Sequence, residues 1–244
     1  ILSRTKSLET QNQVIDEYSD EGREIIEKLL WNSKIDRNKK TQENLSSHGQ
    51  QKIGVITRDG IIIDGNKRAM LLNDILNDGK LSKKKYSKKY DYFKAVVLPR
   101  TLDEDPLEIK KLETSFQMAE DVKLKYNATE KYIHSKDLYF RITGKSPVKG
   151  EFDKKAISKI ADWMGEKEST IEEYLNTMAT MDEYLFYLGY DGIYTQLDSR
   201  EDQFLSLTKW LDNFYDKESK KAFDGYTNSD VDELKDIAFD YLRI

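Results

Sequence analysis

Apolar residues in this chain fall into short runs whose period changes along its length. Ile25, Ile26, Leu29 and Leu30 recur at helical spacing and predict a helix from about Ser19 to Trp31. A polar stretch through Ser47 follows and reads as a loop or a short helix. Ile53 to Thr57 and Ile61 to Asp64 are β-branched runs joined by Arg58, Asp59 and Gly60, and the Asp-Gly pair is expected to supply the positive φ angles of a tight hairpin turn. Asp64, Gly65 and Asn66 end the second strand. Arg68, Ala69, Met70, Leu71, Leu72 and Ile75 then resume at helical spacing, so the local order is strand, tight turn, helix.

A lysine-rich segment from Lys80 to Lys89 interrupts the pattern as a surface loop before Phe93 to Leu98, a strand with Val96 and Val97 at its centre. Asp105, Pro106 and Glu108 then have the spacing of an N-cap, a first-turn proline and a capping-box acid, starting a helix to about Met118. Beyond that point the periodicity is helical throughout. Helices are expected over Tyr126 to Arg141, Lys154 to Met164 and Ser169 to Met178, with Gly165 marking the turn between the last two. A final pair is expected around Phe204, Leu207, Leu211 and Phe214 and around Val231, Leu234, Ala238 and Tyr241, the latter opened by a capping box of Ser229 and Asp232. Trp163, Trp210, Phe204, Phe214 and Tyr241 sit at helical spacings and are assigned to the core, and His134 to helical surface. The pattern therefore predicts an α+β chain: a small mixed-sheet domain over residues 1–120 and an all-helical domain over 121–244, with a helix-turn-helix-like segment near 154–178.

Composition narrows the chemistry. With 35% charged residues and a mean hydropathy of −0.76 the chain reads as soluble and cytoplasmic. No run of about 18 apolar residues is present to span a bilayer, and no charged-then-apolar leader opens the sequence. The absence of cysteine excludes disulfides, thiol catalysis, cysteine-ligated zinc and iron–sulfur chemistry, and two histidines leave little for imidazole-based metal sites. A net charge of −5 opposes any whole-protein attraction to nucleic acid, so such binding requires a local basic patch.

The most informative stretch is Ile61-Ile62-Ile63-Asp64-Gly65-Asn66-Lys67-Arg68. A strand that ends in a glycine turn and opens a helix exposes backbone N–H groups at the positive end of the helix dipole, a natural phosphate site to which Lys67 and Arg68 add charge. An ordinary structural turn with flanking bases satisfies the same residues. Lys80, Lys83, Lys84, Lys85, Lys88 and Lys89, interleaved with Tyr86 and Tyr90, form a concentrated basic patch, readable as a DNA-contacting loop near 80–89 or as a solvated surface segment.

Gly49-Gln50 with Ile53 and Val55, followed by Asp64-Gly65-Asn66-Lys67-Arg68, resembles the first two boxes of the ParB/sulfiredoxin superfamily, a G-Q-x-P-I-x-V segment and a D-G-x-x-R turn. The third box falls at Glu113-Thr114-Ser115-Phe116-Gln117, where E-T-x-x-Q stands for the usual E-N-x-x-R, and Lys52 stands for the usual proline. The resemblance covers roughly Ser19 to Gln117. It implies that Gly49, Gln50, Asp64, Gly65, Asn66, Lys67, Arg68 and Gln117 hold the phosphates of CTP or another nucleoside triphosphate with Mg2+, and that the protein is a DNA-associated partition-like or regulatory factor of a prokaryote, phage or mobile element.

Glu113 and Gln117 lie one helical turn apart on one face, so Glu113 could hold magnesium through water or serve as a catalytic base. Two alternatives stay open: a nucleoside triphosphatase, phosphotransferase or ParB-like nuclease using Glu113, and a non-catalytic module whose acidic helices bind a protein partner or a second copy. Sulfiredoxin chemistry needs a cysteine and is excluded. In the helix-turn-helix-like segment, Ala161, Gly165, Ile171 and Leu175 occupy the expected packing positions. Glu166, Glu168, Glu172 and Glu173 against a lone Lys167 favour a structural or protein-binding hairpin over major-groove reading.

Overall fold

The structure, a computed structural model, describes residues 16, 19–81, 90–121, 128–197, 199–214, 225 and 227–243. The chain divides into two compact units, Ile15–Leu124 and Lys125–Ile244. Among the described residues the architecture is α+β, mostly helical with one three-stranded mixed sheet. No helix is long and apolar enough to cross a membrane among those residues.

In the first unit, helix α1 spans Asp20–Ser33 and starts at Ser19, whose Oγ accepts a 3.0 Å hydrogen bond from the Gly22 amide. The polar stretch after it is neither a loop nor a short helix: Ile35–His48 forms a 14-residue helix, α2. Its apolar signal is faint because only Asn38 and Leu45, two turns apart, are buried. Asn38 supplies by hydrogen bonding what the sequence lacks in apolar surface. Its Nδ2 donates to the carbonyls of Leu30 (3.0 Å) and Trp31 (2.7 Å), satisfying orphan acceptors at the end of α1 and docking α2 against it. The helix closes at Gly49, where φ is +72° and the amide donates to Leu45 O at 2.8 Å.

Strands β1 (Gly54–Ile56) and β2 (Ile62–Asp64) form the antiparallel hairpin, and β3 (Ala95–Val97) adds parallel to β1, for a sheet order β2-β1-β3. The turn differs from expectation. Gly60 alone takes a positive φ, +92°, while the Gly60 amide donates to Thr57 O and the Ile61 amide to Thr57 Oγ1. A three-residue loop closed on a single glycine needs no left-handed Asp59. Helix α3 (Asn66–Leu81) follows β2 directly, and α4 (Pro106–Asp121) packs on β2. Asp105 caps α4 by accepting from the Glu108 amide. One apolar cluster joins Leu30, Leu45, Met70, Leu71 and Leu72, tying α1 and α2 to α3. A second joins Val55, Ile63 and Ile109 between the sheet and α4.

The second unit is a helical bundle of α5 (Ala128–Thr143), α6 (Lys154–Met164), α7 (Glu168–Tyr187), a 3-10 turn at Tyr194–Leu197, α8 (Glu201–Phe214) and α9 (Asn228–Arg243). Helix α6 opens on Asp153, which accepts from the Lys155 and Ala156 amides, and closes on Gly165 in the left-handed region, with the Glu166 amide reaching back to Ala161 O. Helix α7 runs nine residues past the expected end at Met178, because Met181, Tyr184 and Leu185 continue its buried face. It is the central helix, packed by α5, α6, α8 and α9. Thr227 with Asp230, rather than Ser229 with Asp232, forms the box that opens α9. Trp163 and Phe204 are buried as expected, whereas Trp210 and Tyr241 are exposed and His134 is buried. Period alone does not say which face of a helix meets the bundle. Phe214 lies outside the residues whose side chains are described.

Candidate functional site

Asp64 ends β2, and Gly65 starts α3 by accepting the Ala69 amide at 2.9 Å. Gly65 is required twice over: its φ is +105°, and a Cβ there would stand 2.7 Å from Phe93 Cζ and 3.1 Å from Arg68 Nη2. The same ring presses on Gly54 of β1, where a Cβ would be 2.2 Å from Cζ. Phe93 thus sits against two bare backbones and fixes the angle at which the turn leaves the sheet. Arg68 Nη2 donates to Asp64 Oδ2 at 2.9 Å, the two side chains being 15% and 14% exposed. Arg68 Nε is buried and has no hydrogen-bond partner among the described residues.

Arg68 is one wall of a cleft of about 400 Å³. Arg37, Lys40, Thr41, Asn44 and Leu45 of α2 also line it, together with Gly49, Gln51 and Lys52. The polar α2 residues are spaced i, i+3, i+4 and i+7, so one helix face presents two cations and two neutral hydrogen-bonding side chains together. Among the described residues, four cationic side chains and no carboxylate line the cleft, in a chain whose net charge is −5. Such a concentration of one sign in a concave surface attracts anions.

The structure brings some expected site residues to this cleft and gives others different work. Gly49 and Arg68 line it; Gly65, Asn66 and Lys67 lie on the adjoining turn, and Asp64 is held by Arg68. Gln50 is turned away. Its amide makes a strand-like pair with the Lys94 backbone, donating to Lys94 O and accepting from Lys94 N, both at 2.7 Å, and also donates to Lys52 O at 2.9 Å. It therefore pins the 49–52 segment to the entry of β3. Glu113 does not line the cleft and accepts from Lys110 Nζ at 3.0 Å within α4. The side chain of Gln117, and residues 82–89 of the lysine-rich segment, lie outside those described. The residues that sequence reading missed are Arg37, Lys40, Thr41 and Asn44, whose helical spacing was the available signal.

Among the described residues, no three His, Cys, Asp or Glu side chains come together to hold a metal ion. In the α6–α7 pair, Glu166 is joined to Lys131 and Glu173 to Lys209, leaving Glu168 and Glu172 exposed at the start of α7. No protein-family model, curated protein or solved structure matches the chain.

Proposed function

We propose that the first unit binds a phosphate-rich anion in the cleft between α2, the 49–52 segment and Arg68, and that this anion is a nucleoside triphosphate, as the ParB-like boxes imply. The supporting observation is the convergence of Arg37, Lys40, Lys52 and Arg68 on one concave surface that no carboxylate lines among the described residues. Guanidinium and ammonium donors make short, charge-assisted bonds to phosphate oxygens, and Asn44 and the second Gln51 amide N–H add neutral donors, whereas the Thr41 hydroxyl donates to Arg37 O at 2.9 Å. The volume lies at the small end of the range for ligand sites. Among the described residues no carboxylate stands in the cleft to anchor magnesium, so the ion would enter on the phosphates themselves. The DNA-associated role rests on the box resemblance alone, because the exposed start of α7 carries Glu168 and Glu172.

The test is calorimetric titration with CTP, ATP and GTP, with and without magnesium, on the wild-type chain and R37A/K40A. Arg37 and Lys40 are exposed, so their loss should leave the fold intact. Removing two charge-assisted contacts should weaken binding by about 100-fold or more. Equal affinity in the double variant would place the ligand elsewhere.

A further inference from the structure

The second unit contains a cleft of about 500 Å³ that the phosphate proposal does not use, lined among others by Tyr184, Tyr187, Tyr190, Gln196, Arg200 and Arg243. It lies between the end of α7, the 3-10 turn and the end of α9. Two features distinguish it from a packing defect. First, neither Arg200 nor Arg243 has a carboxylate at ion-pairing distance among the described residues, so two guanidiniums without an ion-pair partner there face one cavity. Arg200 is nonetheless held in place: its Nη1 donates to Leu242 O and, at 3.3 Å, to the Tyr184 hydroxyl, both neutral acceptors that leave its charge intact. Its position follows Ser199, the one described non-glycine residue with a positive φ, +67°. Strained backbone of this kind concentrates at binding sites. Second, Tyr187 and Tyr190 are exposed residues, at 41% and 44%, although both line the cleft. Asp240 accepts the Tyr187 hydroxyl at 3.0 Å.

We infer that this cleft binds a phosphate carried on a planar ring, with Arg200 and Arg243 holding the phosphate and a tyrosine face stacking on the ring. A nucleotide has this chemistry, whether free or within a single strand, and Tyr–Arg pairing is how sequence-tolerant strand binders grip successive bases. Arg243 and Tyr190 are exposed and are the residues to vary; Arg200 and Tyr184 also support the bundle.

The experiment uses the full chain carrying R37A/K40A, so that the first-unit cleft contributes little. It is titrated with AMP, adenosine, inorganic phosphate and a short single-stranded oligonucleotide. AMP should bind saturably, and at least about 10-fold more tightly than adenosine or phosphate, since each lacks one of the two contacts. R243A and Y190A should each weaken AMP by about 5-fold or more, while Y190F, which keeps the ring, should not. Tighter binding of the oligonucleotide than of AMP identifies a strand as the source, and the reverse identifies a free nucleotide. AMP that binds no better than its two parts, that fails to saturate, or that is indifferent to both R243A and Y190A overturns the assignment. Retention of AMP binding in R37A/K40A, with loss in R243A, separates this site from the first.

Discussion

Arg68 and Asp64 form an ion pair four residues apart that spans the junction where β2 stops and α3 starts, and both side chains are largely withdrawn from water. The pair explains why the D-G-x-x-R turn contributes one cation to the cleft rather than a whole cradle. Asp64 holds the guanidinium by one nitrogen and leaves Nε without an acceptor among the described residues. Removing the acid should therefore strand a buried charge. D64A is expected to destabilise the protein by about 2–4 kcal/mol in urea unfolding, and D64N by less, because an amide oxygen still accepts. A midpoint unchanged in D64A would mean that the guanidinium finds water.

Phe93 against Gly65 gives a second, steric prediction. G65A forces a Cβ into a ring 2.7 Å away at a φ of +105°, and should cost about 2 kcal/mol or more. Coupling the change to F93A separates the two contributions. The double variant should lose less than the sum of the singles, because the clash disappears while the backbone strain stays. Strict additivity would show that the ring is not the obstacle.

Asn38 is buried and carries two hydrogen bonds to the end of α1. N38A should cost about 1–3 kcal/mol, since Trp31 O loses its side-chain donor, Leu30 O keeps only the Ser33 hydroxyl, and a small cavity opens. Its second effect is on the cleft: α2 carries the Arg37 and Lys40 wall, so nucleotide affinity should fall although Asn38 touches no ligand. Loss of stability with undiminished affinity would show that the wall holds its place without this anchor.

Asp182, in the second unit, is paired with Lys136 and accepts the Tyr194 hydroxyl at 3.1 Å. Burial raises its pKa above the usual 3.8 and outweighs the lowering by Lys136 and Tyr194, with Asp191 adding to the rise. The folded state thus holds this proton more tightly than the unfolded chain does. The stabilising contribution from the proton is complete below 3.8 and is lost as pH rises through the raised value. The unfolding free energy of wild type minus that of D182N should accordingly fall with pH across that window and level off above it. A difference that is flat or climbs would contradict the direction of the shift.

Local signals in the sequence determined much of the first unit's frame. The Arg58-Asp59-Gly60 connection, the Asp64-Gly65 junction and the Asp105-Pro106 start all depend on residues within a few positions of one another, where turn and capping chemistry act. The period of the apolar residues likewise located α1, α3, α4 and the bundle helices, and the box spacing pointed to Arg68. Beyond that reach the sequence was silent. Helix α2 hid because Asn38 anchors it with hydrogen bonds that leave no hydrophobic period, so the Arg37, Lys40, Thr41 and Asn44 face went unread. Nothing near Gln50 in the sequence announces Lys94, 44 residues away, as its hydrogen-bond partner. Trp210 and Tyr241 shared the period of their buried neighbours, and only the packing of α7 decided which side of each helix would face water. Charges converge on a cleft, and a ring lands on a bare backbone, through contacts between distant segments; those are set by how the elements pack, and that is why tertiary structure alone decided them.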